Sequence, residues 1–195
     1  VSFSGVGRKR GEAPPPEFYS IAGNQGENHV LFVTDMSRSW MNAPLMAEKT
    51  VKVIDWLKAR VDAERVMAVG NSMGGTAALL LSNHTHFDTV TAVVPQVSAN
   101  PQVVPEETRW THFRDQIETF RFDKVASLAA ADTQYFILHG DTQDEMIHAL
   151  RFPKIENGAH IILQGHDHNL ARRLRKEDHL PGLMFHMMEG HKRRA

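Results

Sequence analysis

The sequence contains no cysteine, which excludes disulfides and thiolate metal sites but says little about compartment. Its net charge is only −1 over 195 residues, so no broad field points to nucleic acid or a membrane surface as partner. No apolar run approaches the roughly 18 residues of a membrane span. No stretch has the character of a signal peptide, and a cytoplasmic location is the expectation. Internal repeats are lacking as well. Several ligand-binding patterns are also missing. No helical stretch carries His-Glu-x-x-His, and the pairs His84-Thr85-His86 and His166-Asp167-His168 lie at turns, which argues against a catalytic metal. The glycines around Ser72 are not followed by the lysine of a phosphate loop, and Gly5-Val6-Gly7 lacks the third glycine and the helix of a dinucleotide fingerprint. Neither a metal nor another cofactor is expected.

What is present reads as one ordinary globular domain, 42 % hydrophobic and 23 % charged, long enough to bury a substantial core. Residues 1–7 suggest a short strand running into a glycine turn, and Val1 opens inside it, which leaves room for residues before it. Residues 8–16 are polar and proline-rich, hence a loop. A continuous apolar run over 29–35 predicts a strand covered on both faces. Pro44 suits a first helical position, and Met46, Thr50, Val53, Leu57 and Val61 then form one helical stripe. Further strands are expected over 65–70, 90–97, 134–140 and 159–165. Helices are expected over 106–120, 123–131, 145–151 and 169–177. Trp110, Phe113, Ile117 and Phe120 recur at helical spacing and read as core or lid packing. Residues 190–195 read as a solvated tail.

This alternation predicts an α/β fold, a three-layer sandwich around a mostly parallel central sheet of about six strands. Sites in such sheets gather at the carboxyl ends of the strands. The polar clusters fall there: Gly5 to Gly7, Asp35 to Trp40, Ser72, Asp141 to Asp144, and His166 to His168.

The most specific stretch is Val66-Met67-Ala68-Val69-Gly70-Asn71-Ser72-Met73-Gly74-Gly75, followed by the helix-forming Thr76-Ala77-Ala78-Leu79-Leu80-Leu81. A strand, a Gly-x-Ser-x-Gly turn and a helix in that order form a nucleophile elbow, with Ser72 at its tip. Here the chain resembles the α/β-hydrolase fold family. A serine hydroxyl needs a base within hydrogen-bond reach and a carboxylate to orient that base. The resemblance implies the chain order nucleophile, acid, histidine. The acid then follows the strand ending at Gly140, most often three residues on; Gln143 stands there, and the candidates are Asp144, which is preferred, and Asp141, whose position also suits capping a turn. Gly165-His166-Asp167-His168 resembles the family's Gly-x-x-His before a helix, which picks His168 over His166. The backbone N–H groups of Met73 and Val6 are the implied oxyanion donors, with Ser4 where the family often has histidine. Asp35 and Arg38 either shape the rim of the site or form an ion pair without a catalytic part. Segment 98–133 is the room available for a small cap or lid.

The resemblance implies a serine hydrolase that takes a small-molecule ester or thioester through an acyl-enzyme on Ser72. An acyltransferase on the same fold is the first alternative. A non-catalytic binding domain is the second, favoured by the altered Ser4 and the displaced acid.

Overall fold

A computed structural model describes residues 1–7 and 9–190. Six strands, β1 (Ser2–Phe3), β2 (Phe32–Val33), β3 (Met67–Asn71), β4 (Thr89–Val93), β5 (Gln134–Gly140) and β6 (Gly158–Leu163), form one sheet in the order β2-β1-β3-β4-β5-β6. Every neighbouring pair is parallel, with Phe3 beside Gly70, Met67 beside Thr89, and Gly140 beside Leu163.

Alternation along the central strands splits the core into two layers. Ala68, Val90, Tyr135 and Ile137 face helices α2 (Met46–Arg60) and α3 (Met73–Leu81). Val69, Val93, Phe136 and Leu138 face α1 (Tyr19–Gly23), α6 (Leu170–Lys176) and α7 (Leu180–Met188). Every residue of α3 is buried, which is why the elbow helix reads as apolar on all sides. The remaining helices are α4 (Thr111–Arg114) and α5 (Gln143–Ala149).

Several expectations need correction. Strand β2 is a two-residue edge strand, half-buried rather than covered on both faces. Helix α2 turns Ala47, Thr50 and Ile54 inward, and Val53 from the predicted stripe is 45 % exposed. The stretch expected to be helical over 106–120 holds a single turn, α4, and no helix forms over 123–131. Two side chains divert the first of these from a helix. Arg114 is buried and donates to the carbonyls of Ala99 and Glu107, while Glu107 turns inward to His148 and Arg109. Helix α7, with Pro181 in its first turn, was not anticipated at all. The tail expected over 190–195 lies outside the described residues from 191 onward.

Candidate functional site

The elbow is built by two glycines with no room for a side chain. A Cβ on Gly70 would stand 2.2 Å from the Gly74 carbonyl oxygen, and one on Gly74 would stand 2.1 Å from that of Phe3. Between them Ser72 adopts φ 54° and ψ −124°, a sparsely populated conformation that the surrounding ladder enforces. Its N–H donates to Val93 at 2.8 Å, and its carbonyl accepts the first turn of α3 from Thr76 at 3.0 Å. The side chain is 4 % exposed.

His168 lies just before α6, and its Nε2 is 2.9 Å from Ser72 Oγ. Its other ring nitrogen, Nδ1, is 2.8 Å from Oε1 of Glu145. A carboxylate can only accept, so Nδ1 carries the proton and Nε2 faces the hydroxyl as an acceptor. Burial alone would raise the Glu145 carboxyl, but the hydrogen bond and charge of His168, joined by Arg109, hold it below the usual range.

Glu145 takes the place at His168 that was expected of Asp144. Helix α5 starts at Gln143, and successive residues rotate about 100° around its axis; Glu145 points inward, 1 % exposed, while Asp144 is exposed and meets Arg109 only through its backbone carbonyl. Thr142-Gln143-Asp144-Glu145 spells a capping box, which gives its glutamate a bland structural reading. Yet Thr142 makes no side-chain cap bond, and the Glu145 side chain goes to the imidazole instead. Asp141 holds the histidine loop from a different point: its Oδ1 accepts the Gly165 N–H at 2.9 Å. Gly140 lets that loop close in, since a Cβ there would meet the His166 carbonyl oxygen at 2.0 Å. His166 turns away and bonds the Gln164 carbonyl at 2.8 Å.

Arg109, absent from the sequence reading, bridges two buried carboxylates. It meets Glu145 Oε1 at 2.9 Å and both oxygens of Glu107. Burial opposes ionisation of Glu107, but bonds from His148 and Arg109 and the guanidinium charge bring its carboxyl down to about 2. Behind it, Val97 N–H donates to His148 Nδ1 at 3.3 Å, so His148 is neutral with its proton on Nε2, donated to Glu107 at 2.8 Å.

On the other side of Ser72 lies the loop after β1. Ser4 anchors it by donating to the Pro15 carbonyl at 3.0 Å, with Thr34 Oγ1 at 3.3 Å. Gly5 N–H donates to Glu17 at 3.1 Å. Burial lifts the Glu17 carboxyl above its ordinary range, although Gly5, Asn71 and nearby His168 pull the other way. Arg38 makes no ion pair with Asp35. Its guanidinium donates to the carbonyls of Val6 (3.1 Å), Met36 (3.0 Å), Lys9 (3.2 Å) and Glu12 (2.5 Å), while Asp35 accepts from the N–H groups of Ser37, Ser39 and Met41.

Val6 and Met73 are buried together with Trp40 and Ala99, and Trp110, Phe113, Ile117 and Phe120 of segment 98–133 pack against them. The Trp110 ring lies 5.8 Å from that of His168. Gln96, which no motif singled out, is 1 % exposed and reaches Ser72 Oγ at 3.1 Å. Among the described residues no group of three or more His, Asp or Glu side chains is arranged to hold a metal ion, and no helix is long and apolar enough to cross a membrane.

A parallel sheet in this order with helices on both faces defines the α/β-hydrolase fold. The prolyl oligopeptidase family profile matches residues 35–154, more than half of the sequence, and the chain belongs to that family. No curated protein matches it in sequence. Among solved structures, the capsule O-acetyltransferase of Neisseria meningitidis serogroup A, in complex with CoA, is similar at 12 % identity and a TM-score of 0.56, over 92 % of this chain and 85 % of that one. The esterase E40 is similar at 14 % identity and a TM-score of 0.54, over 78 % of this chain and 61 % of that one. An α/β serine hydrolase homologue from Coxiella burnetii matches at 13 % identity and a TM-score of 0.45, over 72 % of this chain and 57 % of that one. The chain thus spans less than two thirds of the esterase E40 and of the Coxiella protein.

Proposed function

We propose that the protein is a serine hydrolase that cleaves an ester or thioester of a small molecule, with Ser72 as nucleophile, His168 as base and Glu145 as the orienting carboxylate. One observation carries this reading: the unbroken line from Ser72 Oγ to His168 Nε2 at 2.9 Å and from His168 Nδ1 to Glu145 at 2.8 Å.

In the first half-reaction Ser72 Oγ bonds to the acyl carbon while its proton passes to His168 Nε2, and the carbonyl electron pair moves onto oxygen. That oxyanion needs donors that are already in place. Met73 opens α3 and has no acceptor for its N–H within the helix; it and the Val6 N–H are the proposed pair. The adduct then expels the leaving group, which takes the proton from His168. Water repeats the sequence on the acyl-enzyme: it gives a proton to His168, its oxygen bonds to the acyl carbon, and Ser72 leaves with the proton. Glu145 stays ionised throughout and balances the imidazolium. Segment 98–133 acts as a small cap, with Trp110, Phe113, Ile117 and Phe120 walling the acyl side.

A second reading, an acyltransferase in which an alcohol replaces water, is supported by the likeness to the O-acetyltransferase over most of both chains. Labelling with a fluorophosphonate tests the common step: the wild type should be tagged and Ser72→Ala should not, and no tagging of folded wild type would favour a binding domain. Turnover of p-nitrophenyl esters with and without an added alcohol then separates hydrolase from transferase. Ser72→Ala and His168→Ala are expected to lose several orders of magnitude in turnover.

A further inference from the structure

Gln96 lies in the loop beyond β4, and its surroundings fix which end of its amide faces the nucleophile. Trp40 Nε1 is 2.9 Å from Gln96 Oε1. An indole N–H can only donate, so the oxygen must face Trp40 and the NH2 must face Ser72, whose Oγ lies 3.1 Å from Nε2. The backbone is held as firmly. The Gln96 carbonyl accepts the Thr76 hydroxyl of the elbow helix at 2.7 Å, and the next N–H, that of Val97, goes to His148. Both Trp40 and Gln96 are 1 % exposed, which keeps water from substituting for either contact.

A serine hydroxyl has one proton and two lone pairs. With Gln96 donating to one lone pair and His168 Nε2 at 2.9 Å, the hydroxyl proton has one acceptor to point at. We infer that Gln96 is a catalytic residue of the acyl-transfer reaction, donating a hydrogen bond to Ser72 Oγ that directs its proton to His168 and stabilises Oγ as the leaving group when the acyl-enzyme breaks down. This rests on the proposed acyl-enzyme at Ser72. In breakdown, the water oxygen is bonded to the acyl carbon and its proton sits on His168; the C–Oγ bond breaks, its electron pair moves to Oγ, and the imidazolium returns the proton. Gln96 keeps its own protons and strengthens its bond as charge gathers on Oγ. A donor at this atom weakens Oγ as an attacking group and improves it as a departing one. Its loss therefore falls hardest on deacylation. Trp40 is a positioning residue, since it alone prevents the amide from turning over.

The test is pre-steady-state hydrolysis of p-nitrophenyl acetate, with the acyl-enzyme followed by intact-protein mass. Gln96→Met should deacylate about 10- to 100-fold more slowly, the range expected for one hydrogen bond to a developing charge. Acylation should slow less, so a burst of nitrophenol and an acetylated protein should build up. Trp40→Phe, which keeps an apolar ring beside Val6, Met73 and Ala99 and removes the N–H, should move the same rates by a smaller factor, and the double variant should be no slower than Gln96→Met. A merely structural role would lower both half-reactions equally and leave no acetylated species, which overturns the inference. So does a Gln96→Met enzyme, or a Trp40→Phe enzyme should the former not fold, that deacylates at the wild-type rate while the wild type is labelled at Ser72 by fluorophosphonate. A folded wild type that is neither labelled nor active overturns the reading of Ser72 itself, and this inference with it.

Discussion

Arg109 and His168 donate to the same oxygen of Glu145, Oε1, at 2.9 and 2.8 Å. The guanidinium also clamps Glu107, so one cation sits between two buried carboxylates, one of which faces the His168 imidazole. Arg109→Met leaves those carboxylates their imidazole donors but no cation between them, at a cost on the order of 3 kcal/mol. Two ionised carboxylates cannot persist there, and one takes up a proton. The acid limb of the pH–rate profile is expected to move to higher pH, alongside a lower urea midpoint; an unshifted limb would show that Arg109 acts on stability alone.

Glu145→Gln and Asp144→Asn separate the inward from the outward acid on α5. A neutral amide in place of the Glu145 carboxylate cannot balance an imidazolium, and ester turnover should fall about 10³- to 10⁴-fold, as for the loss of the orienting carboxylate in a triad. Asp144→Asn alters an exposed side chain and should remain within about twofold of wild type. Steady-state hydrolysis and the rate of fluorophosphonate labelling should agree in both cases.

Arg38 ties residues 6 to 12 to the turn after β2 through the carbonyls of Val6, Lys9 and Glu12. Arg38→Met frees the loop that carries the proposed Val6 donor. The kcat is expected to drop about tenfold or more, with KM changed little, and limited proteolysis should cut between residues 6 and 12 before it cuts elsewhere.

His139 is buried on β5, with Nε2 2.8 Å from the Pro95 carbonyl and Nδ1 2.9 Å from His160. A carbonyl can only accept, so Nε2 holds the proton and His160 donates to Nδ1. Burial, and then His160, push the His139 imidazole from 6.5 down to about 3, and burial lowers His160 too. Below pH 6.5 the unfolded chain binds a proton that the folded chain refuses until about pH 3. The stabilisation from His139 is thus complete above 6.5 and is lost as pH falls towards 3, at about 1.4 kcal/mol per pH unit. Urea midpoints should decline steadily from neutral to about pH 5, and His139→Gln should flatten that decline.

How much of this was legible in sequence depended on how local the signal is. Strand β5 falls where the apolar run over 134–140 predicts it, because a strand buried on both faces advertises itself without help from its neighbours. The elbow is equally local, since its glycines answer to contacts within a few residues and one adjoining strand. The placement of His168 beside Ser72 is readable from its position after the last strand. Glu145 does not, because the side of a helix that meets a distant loop depends on tertiary placement, and its capping-box spacing offered a sufficient local reason to be there. The phase of α2 was missed because Ala47, a core residue, is too small to mark a stripe. The false helix over 106–120 has the right period, but its apolar side chains cover the site from an irregular path once Glu107 and Arg114 find buried partners.

The corner at Gly70 and Gly74 tolerates no added carbon, with carbonyl oxygens 2.2 and 2.1 Å from where one would go. Variation at that corner is closed, whatever the selection. On the proposed reading of 98–133 as a cap, a broader substrate range is expected to come from Trp110, Phe113, Ile117 and Phe120, which pack beside Val6 and Met73, with the buried Glu107 and Arg114 left in place. A library concentrated there and sparing the elbow is the shorter route to a new specificity.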